Sequence, residues 1–259
     1  MVPDVWEAGD SYEAYVGRWS RRVAEIFVPW IGAAPGMRWL DVGCGTGALT
    51  AAVLGAQQPA QVLGVDRSVP FLRDARNRAG DPRAAFTSGN AMALPVPDRR
   101  FDAVISGLAL NFVPDPGRAV AEMARAAADG GLVAAYVWDY AGGMTMMRHF
   151  WAAARDVEPG AAAYDESTRF PVCRPDGLGE LWRAAGLRDV TPHRIEVPTR
   201  FADFADFWRP FLGGQGAAPA YLVSLPGEQR TAIRELLRAR LPDDALAMTA
   251  AVWAVRGIR

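Results

Sequence analysis

A glycine-rich loop and two aspartates are the residues of this sequence best suited to chemistry. Gly43, Gly45 and Gly47 stand at every second position of the run GCGTG. Glycines in such a run let the backbone turn sharply and let a ligand approach it closely. Asp41 lies just before the run, and Asp66 ends the next apolar stretch of the chain. The pattern predicts a ligand held against the loop backbone between two carboxylates.

The two carboxylates restrict the kind of ligand. A carboxylate at the end of the second strand can accept hydrogen bonds from both hydroxyls of a ribose. Asp66 therefore predicts an adenosine-like ligand without choosing one, since Gly43, Gly45 and Ala48 also fit the dinucleotide fingerprint G-x-G-x-x-G/A. Asp41 distinguishes between a dinucleotide and other adenosine-like ligands, because its charge would repel a pyrophosphate and suits a cationic or ammonium-bearing ligand.

Apolar runs place this loop between a strand and a helix. Runs typical of buried strands cover 37–42, 61–65, 84–90, 101–110, 132–140, 187–197 and 245–257. Helical patterns separate the first five, and nearly continuous apolar strands that alternate with helices are typical of a parallel sheet covered on both faces. We therefore predict an α/β fold with a doubly wound sheet. Pro192 predicts that the sixth run is an edge strand or contains a bulge.

The sequence resembles the class I S-adenosylmethionine-dependent methyltransferases, and most closely the small-molecule group that includes the ubiquinone-biosynthesis C-methyltransferases. The resemblance runs over about residues 10–140 and is carried by LDVGCGTG at 40–47, GVDRS at 64–68, SGNAMALPVPDRRFDAVIS at 88–106, LNFVPDP at 110–116 and ARAAADGGLV at 125–133. It implies a Rossmann-like sheet of seven strands with the last strand antiparallel. It also implies S-adenosyl-L-methionine as the cofactor, bound at the carboxyl ends of the first strands.

The resemblance implies a domain organisation and a set of site residues. A single methyltransferase domain, 1–259, would have a cap helix at 10–32, a cofactor-binding core at 36–140, and helical insertions at about 141–175 and 198–244 that form a substrate lid. Asp41 would lie near the methionyl ammonium, directly or through water, Asp66 would hold the ribose, and Asn90 would contact the adenine where the family usually has Asp. The other cofactor-binding positions implied are Tyr15, Arg18, Gly43, Cys44, Gly45, Arg67, Ala91, Met92, Leu108 and Asn111.

Aromatic residues in the second half of the chain predict a small, apolar or aromatic acceptor. Nine Trp are present, several of them in the predicted insertions. The candidate substrate residues among them are Trp138, Phe150 and Trp208, although aromatic residues at helical spacing more often form a core. The resemblance adds Tyr12, which matches an N-terminal stretch of close relatives. His149 and Tyr140 are the candidate bases, and a base is needed only if the acceptor must lose a proton early.

Composition argues against several other kinds of protein. All 28 basic residues are Arg, so lysine-dependent Schiff-base, P-loop and protein-kinase chemistry is excluded. A net charge of -1 argues against nucleic acid or an anionic membrane as the main partner. No Cys/His cluster has metal-ligand spacing. Two distant cysteines and no apolar run long enough to span a membrane favour a reduced, cytoplasmic protein. The sequence leaves open whether it is a monomer or a homodimer.

Two other functions stay open from the sequence. A nicotinamide-dependent oxidoreductase would use the same loop and Asp66, although the lysine that such sites commonly pair with a catalytic tyrosine is absent. A non-catalytic cofactor-binding protein would keep the same residues without the reaction.

Overall fold

The computed structural model describes residues 17–214, 216–242 and 246–259, without the side chain of Arg18. The strands are β1 (Arg38–Val42), β2 (Gln61–Asp66), β3 (Ala84–Ser88), β4 (Phe101–Gly107), β5 (Ala127–Trp138), β6 (Arg188–Arg200) and β7 (Ala247–Ile258). The helices are α1 (Arg18–Ile31), α2 (Ala48–Ala56), α3 (Val69–Ala79), α4 (Pro116–Ala126), α5 (Thr145–Val157), α6 (Glu166–Arg169), α7 (Pro175–Ala184), α8 (Phe204–Trp208), α9 (Ala217–Ser224) and α10 (Gly227–Arg240). Short 3₁₀ helices cover Leu110–Phe112, Pro159–Tyr164 and Arg209–Gly213.

The seven strands form one sheet in the order β3-β2-β1-β4-β5-β7-β6. Strands β1 to β5 pair in parallel. Strand β7 runs antiparallel to β5, since Gly130 donates its N–H to the carbonyl of Arg259 at one end, and Asp139 donates to that of Ala251 at the other. The predicted seven-stranded fold with an antiparallel last strand is confirmed, and the strand that contains Pro192 lies at the sheet edge as predicted.

Local sequence accounts for where the helices next to the site begin. Ser68 caps α3, because its hydroxyl accepts the N–H of Phe71, and proline in the first turn suits a helix start. Asp115 caps α4 in the same way, through the N–H of Arg118 at 2.9 Å. With Pro116 next to that cap, α4 starts two residues earlier than its hydrophobic pattern predicts.

Among the strand ends that differ from the sequence prediction, the start of β5 and the end of β4 have a local explanation. Strand β5 begins at Ala127, although Asp129, Gly130 and Gly131 are typical of a helix stop. Pairing with the chain end explains this, since Arg259 also donates its N–H to the carbonyl of Gly131. Strand β4 ends at Gly107 rather than 110, because the next residue, Leu108, has φ +58° and cannot continue a strand.

The chain divides into two compact units. One contains Arg21–Val137, Val172–Ile195 and Val252–Arg259, and its central strands are buried on both faces. The other contains Trp138–Pro171, Glu196–Ala251 and the described residues up to Ser20. The single domain with a helical lid stays a prediction. Within the described residues, every helix is too short or too polar to cross a lipid bilayer.

The second unit has an aromatic interior with a polar cluster inside it. Phe150 and Phe211 stack with their ring centroids 4.7 Å apart. The indole N–H of Trp151 donates to Glu166 at 2.6 Å, and both side chains are buried. Because buried polar groups need partners, this hydrogen bond lets an indole and a carboxyl group lie inside the unit.

Candidate cofactor-binding site

The glycine-rich loop lies at the point where the sheet order reverses. Strands β1 and β4 are neighbours, but β2 and β3 follow on one side of them and β5 on the other. The loops after β1 and β4 therefore leave the sheet in opposite directions, and ligands of open α/β sheets bind in the crevice between such loops. Ser106 ties the two strand ends together, since its hydroxyl donates to the carbonyl of Val42 at 2.8 Å.

Gly43 is the tightest position of the loop. Its φ of +73° is one that side chains rarely adopt, and a Cβ at this position would lie 2.4 Å from the Cβ of Ala109 in the loop after β4. Its N–H donates to the carbonyl of Val65 at 2.7 Å. The loop is therefore held between the end of β2 and the loop after β4, and only glycine fits.

Substitution of Gly43 by alanine should destabilise the fold far more than the same substitution of Gly45. Gly45 has φ +52° but open space around its missing Cβ. We expect Gly43→Ala to lower the free energy of unfolding by about 3 kcal/mol, from strain plus overpacking, and Gly45→Ala by about 1 kcal/mol, from strain alone. Urea unfolding of the two variants measures the difference. Equal losses would show that the contact with Ala109 does not limit the loop.

Asp66 fastens the loop to the next helix. One carboxylate oxygen, Oδ2, accepts the N–H of Gly45 at 2.9 Å, and Oδ1 accepts the N–H of Ser68 at 2.8 Å. The residue is partly exposed. An ionised carboxylate offers about four acceptor positions, so about two remain for ligand hydroxyls. This geometry fits the ribose role that the resemblance implies.

Asp41 is fully buried beneath the loop. Its Oδ2 accepts the hydroxyl of Thr50 at 2.7 Å, and its Oδ1 has no hydrogen-bond partner among the described residues. Burial raises the pKa of Asp41 to about 7, the hydrogen bond from Thr50 opposes the rise, and the charge of Asp66 adds to it. A cation above the loop would favour the ionised form. Since no atom of Asp41 reaches the surface, such a cation would act across the loop or through water, not by direct contact.

Cys44 lies between the two carboxylates. Its side chain is buried, and burial followed by the charges of Asp41 and Asp66 raises the pKa of the thiol. A thiol with a raised pKa is a poor nucleophile, so we assign Cys44 no covalent role, and its contact with the cofactor stays a prediction. The charge of Asp66, together with that of Asp41 when it is ionised, also disfavours a pyrophosphate at the loop backbone.

Asn90 occupies a turn after β3. Its Oδ1 accepts the N–H of Met92 at 2.9 Å, and its carbonyl accepts the N–H of Ala93. The side chain is exposed, so a second lone pair and the amide N–H remain available to a ligand. Ala91 and Met92 are partly exposed in the same turn, and Arg67 is exposed beyond the end of β2.

The loop after β4 is held in an uncommon conformation. Leu108, at φ +58°, donates its N–H to the carbonyl of Tyr136 at 2.8 Å. Asn111 follows in the short 3₁₀ helix and is buried. Of the other predicted site residues, Tyr12 and Tyr15 lie outside the described residues, as does the side chain of Arg18.

Apart from Tyr12, the candidate substrate and base residues lie in the second unit. Trp138, Phe150 and Trp208 are all buried. Tyr140 is buried beside the ring of Phe170 at 5.8 Å. His149 is partly exposed, and burial together with the charge of Arg240 lowers its pKa below the ordinary 6.5. Their roles toward an acceptor stay predictions.

Sequence reasoning missed three residues that build the site. Thr50 holds Asp41, the backbone N–H of Ser68 holds Asp66, and Ser106 joins β1 to β4. One signal was available, since a polar residue inside an apolar segment needs a partner when buried. Thr50 stands in the apolar helix ALTAAVLGA, and Ser106 near the end of an apolar strand. Nothing in the sequence says which partner each would choose.

Fold and site together define a nucleoside-binding class of α/β protein, and comparison with known proteins specifies the class. A family model described as "Methyltransferase domain" matches residues 40–135. A demethylmenaquinone methyltransferase of Roseiflexus sp. is 34% identical over 169 residues, which cover 60% of this chain and 69% of the relative. A 2-phytyl-1,4-naphtoquinone methyltransferase of Synechococcus elongatus is 42% identical over 95 residues, 34% of this chain and 40% of the relative.

A solved structure shares the fold at low sequence identity. Haemonchus contortus phosphoethanolamine N-methyltransferase 2, in complex with phosphomonomethylethanolamine and S-adenosylhomocysteine, superposes with a TM-score of 0.60 at 17% identity. The match covers 96% of this chain and 57% of that one. The chain belongs to the class I S-adenosylmethionine-dependent methyltransferases, and it methylates a small organic acceptor with S-adenosyl-L-methionine as its cofactor. The nicotinamide-dependent alternative is not favoured.

Proposed function

We propose that the acceptor is a quinone-type aromatic ring, methylated in its reduced, hydroxyl-bearing form. The observation that carries the methyl-transfer chemistry is the loop clamped at Gly43, with Asp41 beneath it and Asp66 beside it. Two similar proteins are named for methylating demethylmenaquinone and 2-phytyl-1,4-naphtoquinone, which supports a bicyclic quinone ring as the acceptor class. We further propose that the enzyme is cytoplasmic. We also propose that nucleic acid is not among its partners, in keeping with its net charge of -1.

In this proposal the protein mainly binds and orients. The cofactor supplies an electrophilic methyl group on a sulfonium, a good leaving group. Asp66 holds the ribose hydroxyls, Asn90 the adenine edge, and the backbone at Gly43 and Gly45 the methionyl part. Holding two reactants in line is worth up to about 7–11 kcal/mol of the barrier in favourable cases. For a ring carbon, the new carbon–methyl bond forms as the methyl–sulfur bond breaks, and the ring C–H proton then leaves to a base.

We propose His149 as that base, with Tyr140 as the competing candidate. A base must be neutral before it accepts a proton, and the lowered pKa of His149 keeps the imidazole neutral at neutral pH. Activity should therefore be constant near pH 7 and fall as the pH drops below the ordinary histidine pKa of 6.5. Comparison of the kcat–pH profiles of wild type, His149→Gln and Tyr140→Phe measures this. An acid limb that persists in His149→Gln would reject His149.

A methyl-transfer assay tests the proposed acceptor. The purified protein is incubated with S-adenosylmethionine and one acceptor at a time. The test acceptor is reduced demethylmenaquinone with a short side chain, and the comparison acceptors are a phenol, an amine and an enolisable ketone of similar size. We expect formation of S-adenosylhomocysteine and of a ring-methylated quinone only with the first. Turnover of an amine or a simple phenol in its place would overturn the quinone assignment while leaving the methyltransferase class intact.

A further inference from the structure

Asn111 carries a buried hydrogen-bond donor that has no partner among the residues the structure describes. The residue is 8% exposed, and its Nδ2 makes no hydrogen bond to any described residue. Leaving a buried donor unsatisfied is unfavourable. A ligand with an oxygen at this point would supply the missing acceptor, so the amide nitrogen marks a contact with a bound molecule.

The position of Asn111 along the sheet separates it from the nucleoside end of the site. Asn90 follows β3, Asp66 ends β2, the Gly43 loop follows β1 and Asn111 follows β4, and these four strands lie side by side in that order. Neighbouring strands are about 4.8 Å apart, so β4 lies roughly 10 Å from β2. With the ribose at Asp66 and the methionyl part at β1, the groups near β4 are the methyl end of the cofactor and the methyl acceptor that meets it there.

The loop around Asn111 is held firmly enough to aim its donor. The N–H of Leu108 donates to the carbonyl of Tyr136 at 2.8 Å. The N–H of Phe112 donates to Ala109 at 3.0 Å, and that of Val113 to Leu110 at 3.2 Å. A buried donor on a loop held by these backbone hydrogen bonds is preorganised, so a ligand loses little by binding to it.

We propose that the Nδ2 amide of Asn111 donates a hydrogen bond to a ring oxygen of the acceptor and thereby selects an oxygen-bearing aromatic ring. This inference rests on the proposed function. A site built to hydrogen-bond an oxygen rejects an analogue of the same shape that lacks it, because the donor is then left unpaired. The same hydrogen bond stabilises negative charge on a ring hydroxyl that ionises, which makes the neighbouring ring carbon more nucleophilic.

Binding of two matched ligands tests the proposal without turnover. Intrinsic tryptophan fluorescence of the protein, saturated with S-adenosylhomocysteine, is titrated with 1,4-naphthoquinone and with naphthalene, which has the same ring system and no oxygen. We expect wild type to prefer the quinone by about tenfold, and Asn111→Leu, which has similar volume and no donor, to lose that preference. Phe112→Leu is the control, because it changes the exposed neighbour and leaves the donor in place.

Affinity for S-adenosylhomocysteine, measured by calorimetry, completes the experiment. It should stay within about twofold of wild type in Asn111→Leu, since the lost bond belongs to the acceptor. A tenfold loss of this affinity would assign the donor to the cofactor and overturn the proposal. A quinone preference that persists in the variant would also overturn it, as would a wild-type protein that does not bind naphthoquinone. If Asn111→Leu does not fold, Asn111→Ala gives the same comparison. Failure of the demethylmenaquinone assay alone would reject the proposed substrate but not this contact.

Discussion

Replacement of Asp66 by alanine should weaken the binding of S-adenosylhomocysteine by about 100-fold or more. The variant loses hydrogen bonds between a carboxylate and two ribose hydroxyls, each worth about 1.5–3 kcal/mol. It also frees the N–H groups of Gly45 and Ser68, which the carboxylate fixes at 2.9 and 2.8 Å. Isothermal titration calorimetry measures the loss.

Two comparisons separate ribose binding from loop support. Asp81→Ala removes another carboxylate that accepts backbone and side-chain N–H groups, those of Arg83, and should leave the affinity unchanged. The 2′-deoxy form of the ligand should bind wild type about tenfold more weakly than the parent ligand does. The two ligands should bind Asp66→Ala equally well, because this variant already lacks the carboxylate that contacts the 2′-hydroxyl. An equal penalty in both proteins would show that Asp66 supports the loop and does not contact the ribose.

Replacement of Asp41 by asparagine should stabilise the protein without ligand and weaken its binding of the cofactor. Burial raises the pKa of Asp41 to about 7 from an ordinary 3.8. The folded state therefore holds this proton more tightly than the unfolded state does. As a consequence, the free energy of unfolding falls by at most about 4 kcal/mol as the pH rises from about 4 to about 7, and it stays constant above about pH 7. Asparagine has no such dependence, so we expect the variant to exceed wild type by about 2 kcal/mol at about pH 8 and to lose that advantage toward about pH 4.

Urea unfolding of both proteins between about pH 5 and about pH 8 checks the stability part of this prediction, and calorimetry checks the binding part. The cationic methionyl end favours the ionised form of Asp41, so wild-type affinity for S-adenosylmethionine should rise with pH until about 7 and level off above it. In Asp41→Asn the affinity should be lower and independent of this titration. A variant that unfolds more easily than wild type at high pH would contradict the buried, partly orphaned carboxylate on which the prediction rests.

The sequence predicts the frame of the site because its residues have few alternatives. Gly43 and Gly45, with an aspartate close to the end of each of two apolar runs, indicate strand ends beside a tight loop. The structure has this arrangement, since Asp41 is the last residue but one of β1 and Asp66 is the last of β2. The antiparallel seventh strand follows from the family resemblance, not from the pattern itself.

The sequence does not predict the contacts that give the site its properties. The partner of Asp41 is Thr50, a residue in the middle of an apolar helix, and the pKa of the carboxyl depends on that pairing and on full burial. The donor of Asn111, unpaired among the described residues, follows a left-handed turn at Leu108 that no residue type there signals. Aromatic residues of the second half are ambiguous for another reason, because a core and an apolar binding surface use the same side chains.

A crystal structure of the complex with S-adenosylhomocysteine tests most directly whether a sulfur-bearing nucleoside occupies the crevice between the loops after β1 and β4. The ribose hydroxyls should lie within hydrogen-bond distance of Asp66, with the amino acid portion along Gly43 to Gly45 above Asp41. Density for the ligand at any other part of the chain, or a ribose turned away from that carboxylate, would contradict the account.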